Sequence, residues 1–258
     1  MTAITTDQSS PTDSRRSSVQ AVDVAASVLD AMCDLRRPAQ LKDIARIAGL
    51  QSAKAHRYLT SLVASGLAAQ NKETGLYSLG PMALRLGVTA ISNNDLIHRA
   101  SESLRDLCAK HQTSGHLAIW GERGPVLIRN EHGGPPIILT VGLGATMPLL
   151  RSASGHIFLS YLPRRATEEI THQEMQMLGM DEAGVSELCA ETRARGYGKT
   201  SGGLIPGLYA AAFPVFGIDG NIQCSISFIS TDANFFSSER DNLDSLLNAA
   251  QKLSDAPF

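Results

Sequence analysis

The 258 residues include four cysteines, Cys33, Cys108, Cys189 and Cys224, and no two of them form a C-x-x-C pair. That spacing excludes a zinc ribbon and a dithiol redox centre, and it fits buried free thiols in a reducing compartment. Seven histidines are present, yet His116, His132, His156 and His172 share no short ligand spacing, so no metal site is expected. Glycine-rich phosphate loops are missing too: Gly142 and Gly144 belong to neither a G-x-G-x-x-G nor a P-loop, and no G-x-S-x-G elbow presents a nucleophilic serine. With no catalytic apparatus in view, neither an enzyme nor a cofactor is expected. No run approaches the ~20 apolar residues that span a bilayer, and the first residues lack an apolar signal core. The expectation is a cytoplasmic protein with no membrane partner.

Charge of one sign is also lacking. The net charge is -2, which argues against a wholly basic nucleic-acid coat, but the balance is uneven. Residues 36–80 hold seven Lys and Arg against Asp43 and Glu73, whereas residues 81–258 hold fourteen basic against eighteen acidic side chains. Positive charge is therefore concentrated in one short module.

That module is what the chain is organised around. Leu41, Ile44, Ala45 and Ala48 recur at helical spacing and stop at Gly49, which suits a tight turn with positive φ. A second helix starts at once, capped by Gln51 or Ser52, with Ala55, Leu59, Leu62 and Val63 packing against the first. Its other face carries Ala53, Arg57 and Thr60, flanked by Lys54 and His56. Small residues beside cationic ones near a helix start suit the DNA major groove; the alternative is an ordinary helical pair with a solvated basic face. Two alternating runs, 67–70 and 76–79, then bracket a glycine-bearing turn with Lys72 at its tip, which is a hairpin signal. The DNA-contacting candidates are Gln51, Ser52, Ala53, Lys54, His56, Arg57, Thr60 and Lys72.

On either side the reading is coarser. Residues 1–16 are rich in Ser, Thr, Asp and Pro and are expected to be a disordered tail ending in Arg15 and Arg16. Ser17 or Ser18 caps a helix with Val19, Val22, Ala26, Leu29 and Met32 or Cys33 in phase, and Arg36-Arg37-Pro38 ends it. Pro81 opens a helix over 82–92 whose Leu84, Leu86, Val88 and Ile91 expose more apolar surface than a connector needs. A helix over 96–110 begins the second half. The runs HLAIW, PVLIRN and PIILTV, separated by glycines, suggest an antiparallel meander. Helices follow near 152–161, 167–177 and 185–195, then strands over 209–215 and 221–229 and a last helix over 237–253. The fold class is α+β.

The segments SVQAVDVAASVLDAM, LKDIARIAGLQSAKAHRYLTSLVASGL and KETGLYSLGPMALRLG together resemble the N-terminal module of IclR-type bacterial transcriptional regulators. The resemblance implies a winged helix-turn-helix at 17–80 and a linker helix at 81–95 that packs in a homodimer or homotetramer. It also implies a GAF-like effector-binding domain at 96–258 with an antiparallel sheet and flanking helices. The function implied is binding of operator DNA under the control of a small carboxylic acid. An enzyme or an architectural DNA binder with a non-sensing second domain is the alternative.

The effector candidates cluster on residues 147–156. A strand end there runs into a helix start, whose free amides attract anions. Arg151 either pairs with a carboxylate or is solvated; Ser152 and Ser154 either donate to a ligand or, for Ser152, only cap the helix. The family's P-L-x-x-S/T-A-x-G-K/R signature matches at Pro148, Leu149, Ser152, Ala153 and Gly155, with His156 in place of Lys or Arg. Its small-molecule pocket implies roles for Met147, Leu149, Arg151, Ser152, Ala153, Ser154, Gly155, Leu208, Ser225 and Ser227. Ile205 stands where the family carries an acidic side chain, which favours a more apolar acid, aromatic ones included.

Overall fold

The structure is a computed structural model, and it describes residues 19–92, 94–134, 137, 141–237 and 242–255. The expected tail, the Ser17 and Ser18 caps and most of PIILTV lie outside the described residues. The chain divides into two compact units, Met1–Val88 and Thr89–Phe258.

In the first unit three helices, α1 (Gln20–Leu35), α2 (Leu41–Ile47) and α3 (Ser52–Ala64), precede a hairpin of β1 (Ala68–Gln70) and β2 (Tyr77–Leu79). The core is Val28, Met32, Ile44, Leu59, Leu62 and Tyr77. The expected α1 stripe holds at Leu29 and Met32, which pack in the core, but not at its start: Val19 and Val22 are 66% and 64% exposed and Ala26 is exposed, while Ala25 and Val28 face inward. As expected, α1 stops at the Arg36-Arg37-Pro38 run. Arg36 already takes a left-handed conformation, φ 49°, and closes the helix from there. Between α2 and α3, Leu50 N donates to Ala45 O and Gly49 N to Arg46 O, with Gly49 at φ 65°. This paired closure needs a left-handed residue just past the helix end, which glycine supplies without strain. Ala39 bridges to Tyr77 through both backbone bonds, tying the α1–α2 connection to the hairpin. In the hairpin turn Asn71 Oδ1 accepts from Glu73 N and Thr74 N at 2.9 Å each. The helix α4 (Pro81–Ser92) follows and contains no buried residue.

The second unit opens with α5 (Asp95–His111), whose N-cap Asn94 accepts from Ile97 N. Its strands are β3 (Ser114–Gly121), β4 (Gly124–His132), β5 (Gly198–Ser201), β6 (Tyr209–Phe216) and β7 (Ile222–Ser230), all antiparallel in the order β4-β3-β7-β6-β5. β3 and β4 form the expected antiparallel pair, β3 pairs on its other side with β7, and residues 144–147 bond to the outer edge of β4. The sheet is covered on both faces. Leu117, Phe213, Ile226 and Phe228 meet α5 and α9 (Asn242–Asp255) on one side. Ala118, Leu127 and Ala212 meet Ile157 and Phe158 of α6 (Ala153–Tyr161) on the other. α7 (Arg164–Leu178) and α8 (Glu182–Arg195) extend that second layer.

Candidate functional site

In the first unit, Ala55, Leu59 and Leu62 turn α3 into the core, so its opposite side is open. Ser52, Ala53, His56, Arg57 and Thr60 are exposed there, Lys54 is half-buried, and Gln51 and Lys72 are exposed. The expected side-chain cap is absent: Gln51 occupies the N-cap position without accepting a bond, and Ser52 is the first helical residue. No acidic side chain stands in the first turn of this helix. The N–H groups at its start therefore meet no acidic side chain of their own first turn, and the exposed cations share that side. Thr60 Oγ1 donates to His56 O at 2.9 Å, which leaves the hydroxyl only as an acceptor.

In the second unit a cavity lies over the α6 face of the sheet. It encloses about 540 Å³ of empty space, its mouth included, and its lining is largely apolar. Of the sequence candidates, Met147, Arg151, Ser152, Ala153, Ser154, Leu208 and Ser227 line it, as does Ile205. Leu149, Gly155 and Ser225 do not. The Leu149 side chain is fully buried among Leu150, Leu159 and Val185. Gly155 serves close approach: a Cβ there would stand 2.2 Å from Pro148 O, so α6 rests directly on the preceding backbone. Ser225 faces the same side as Ser227 but is sealed beneath the helix layer, with 0% exposure.

The side chains around the start of α6 are already committed to particular tasks. Ser152 Oγ donates to Pro148 O at 2.6 Å and accepts from Gly155 N at 2.9 Å, so it is a helix cap. Arg151 is exposed, and its Nε donates to Gly203 O at 2.9 Å, which fixes the guanidinium while leaving other N–H groups free to point at a ligand. The amides of Ala153 and Ser154 belong to the first turn, where no intrahelical acceptor exists. A charged clamp holds this start in place. The half-turn before α6 donates both Leu149 N and Leu150 N, at 2.8 Å each, to the two carboxylate oxygens of Glu174 on α7, a residue only 8% exposed. His156 does not face the cavity; its Nε2 donates to Leu150 O, and burial holds the ring below its ordinary pKa.

Sequence reasoning missed Glu174 and most of the sheet side of the cavity: His116, Leu127, Thr200, Gly203, Leu204 and Ile229. His116 and Ser227 are cross-strand partners on β3 and β7. Burial, with the nearby His132, pushes the His116 ring down to about 4, so the imidazole is neutral at pH 7. For His116 and Ile229 an alternating pattern carries no mark, because β3 and β7 are buried on both faces.

Two sequence profiles match nearly the whole chain: the IclR helix-turn-helix domain over residues 21–72, and the bacterial transcriptional regulator IclR C-terminal domain over residues 88–255. A curated relative, the glycerol operon regulatory protein of Streptomyces coelicolor, is 28% identical over 203 residues, covering 76% of this chain and 79% of its own. The crystal structure of Pseudomonas aeruginosa HmgR is 30% identical with a TM-score of 0.70, covering 92% of this chain and 98% of its own. An IclR homolog of Microbacterium hydrocarbonoxydans, solved in complex with 4-hydroxybenzoate, shares the fold at 18% identity and a TM-score of 0.69, over 91% of this chain and 97% of its own.

Proposed function

Because this chain belongs to the IclR family of bacterial transcriptional regulators, which are DNA-binding proteins and not enzymes, we propose that a small, partly apolar carboxylic acid binds in the cavity of its second unit and thereby alters operator binding. The observation that carries this reading is one cavity in which anion-binding groups meet an apolar wall. Arg151 and the open amides of α6 stand at one part of the lining, and Met147, Leu204, Ile205 and Leu208 form another. A carboxylate at the helix start gains charge-assisted bonds from Arg151 and a favourable helix dipole. Ile205 adds no negative charge to repel it. The neighbour that holds 4-hydroxybenzoate supports an aromatic acid in particular.

The DNA-binding part is residues 17–80, joined through residues 81–95 to the effector part at 96–258. Within it, Arg57, Lys54, His56 and Lys72 supply positive charge, while Gln51, Ser52, Ala53 and Thr60 offer base-reading groups or room for them. The active species is a homodimer or homotetramer on a palindromic site, since one small winged domain makes few contacts and two-fold symmetry doubles them. On α4, Leu84, Leu86 and Val88 are 70%, 52% and 55% exposed, which suits burial by a second copy.

A thermal-shift screen of aliphatic and aromatic carboxylates tests the proposal, because a ligand bound only to the folded state raises the melting temperature by mass action. A concentration-dependent rise with at least one acid, which also changes retention of a selected duplex in gel shifts, is expected. Unchanged melting with every acid would sink it.

A further inference from the structure

Resting on the carboxylate reading of this cavity, we propose that His116 is its specificity-determining residue, and that with Ser227 it recognises a hydroxyl carried on the apolar part of the acid. The two residues face each other across β3 and β7 on the sheet side of the cavity, whereas Arg151 and the free amides belong to the start of α6. His116 is only 5% exposed and lines the cavity. A buried polar ring on a cavity wall can take a ligand group as a hydrogen-bond partner.

The chemistry of the ring selects what that ligand group is. Burial keeps the imidazole uncharged, so it has no ionic attraction for a carboxylate, and Arg151 with the α6 amides competes better for the anion. A neutral imidazole offers one N–H donor and one bare nitrogen acceptor. A hydroxyl complements that pair, since it accepts from the first or donates to the second. Ser227 Oγ donates to His116 O at 3.4 Å, a long bond, and keeps its lone pairs for a second hydroxyl proton. His116 and Ser227 thus place polar groups on the sheet side of an otherwise largely apolar lining.

Calorimetric titration of the full chain with benzoate, 3-hydroxybenzoate and 4-hydroxybenzoate tests this. For the wild-type chain, at least one hydroxylated acid should bind about tenfold more tightly than benzoate, the discrimination expected when a buried polar group is left unpaired by the smaller ligand. His116→Leu should reduce that advantage to about threefold or less while benzoate affinity stays within about threefold of wild type. Ser227→Ala, a milder change, should reduce the advantage in the same direction if His116→Leu does not fold. A hydroxyl advantage that is absent in the wild type, or unchanged in whichever variant folds, overturns the role given to His116 and leaves the carboxylate cavity standing. Failure of all three acids to bind the wild type overturns this inference, while the carboxylate reading stands or falls on the wider screen of acids.

Discussion

His116 has a cost that can be measured without any ligand. Its ring is held neutral by burial and by His132, at about 4 against an ordinary 6.5. The folded chain therefore takes up this proton later than the unfolded chain as the pH falls. Its contribution is fully present above about pH 6.5 and is lost progressively toward pH 4, to a total of about 3 kcal/mol. His156 shifts in the same direction through burial, so the diagnostic is a comparison. Urea midpoints measured between pH 7.5 and 4.5 should fall less steeply for His116→Gln than for wild type; parallel curves would mean that the ring does not titrate as described. In the first unit, Arg57 is exposed on α3 and supports no core contact. Arg57→Ala should leave the melting temperature within about 2 °C of wild type, as surface substitutions usually do. Its slope of log affinity against log salt on operator DNA should fall by about one if it neutralises a phosphate. Unchanged affinity and slope would move the DNA contact elsewhere.

Among the elements, α6 matters most to the cavity, and its position depends on a partner 24 and 25 residues from the amides it holds. Glu174 accepts from the amides of Leu149 and Leu150 out of reach of water. Removing the carboxylate leaves two buried N–H groups unpaired, so Glu174→Ala should destabilise the chain by about 2 to 4 kcal/mol and weaken acid binding. Glu174→Gln, which keeps one acceptor, should fall between the two in chemical denaturation. Equal stability of all three would remove Glu174 as the clamp. Nothing in the sequence pointed to it, because a glutamate on a mostly polar helix looks like a solvated residue until the packing of α7 is known. The parts that were legible follow local rules: the apolar stripes of α2 and α3, the turn at Gly49, the hairpin around Asn71 and Gly75, and the Pro81 start of α4. The four residues of β5 are too short to make an alternating pattern. His116 was hidden for a related reason: in a strand buried on both faces, which side a residue takes is fixed by the order β4-β3-β7-β6-β5, and that order is set by pairings more than a hundred residues apart. Ser152 and Gly155 were found by position, but their tasks, a cap and a close backbone approach, were separable from ligand contact only through the bonds they make.

At the scale of the whole molecule, the proposed function divides the labour between the two units, duplex for one and ligand for the other. Each unit is compact by itself, so a change confined to one should spare the intrinsic binding of the other. An oligomer on a palindrome also implies that half-sites bind poorly. In gel shifts a full palindrome should be retained at least tenfold more tightly than either half, as two linked contacts are stronger than one. Equal retention would argue for a lone winged domain as the binding unit. The central claim, that the cavity at the start of α6 is where a carboxylate acts, is tested most directly by calorimetry of the best acid against wild type and Ser154→Leu. Ser154 is 3% exposed and lines the cavity, so leucine there fills the space at the anion end. Saturable binding by wild type, its loss in Ser154→Leu, and retained duplex binding by that variant are the predicted result; wild-type acid affinity in a folded Ser154→Leu chain would contradict it.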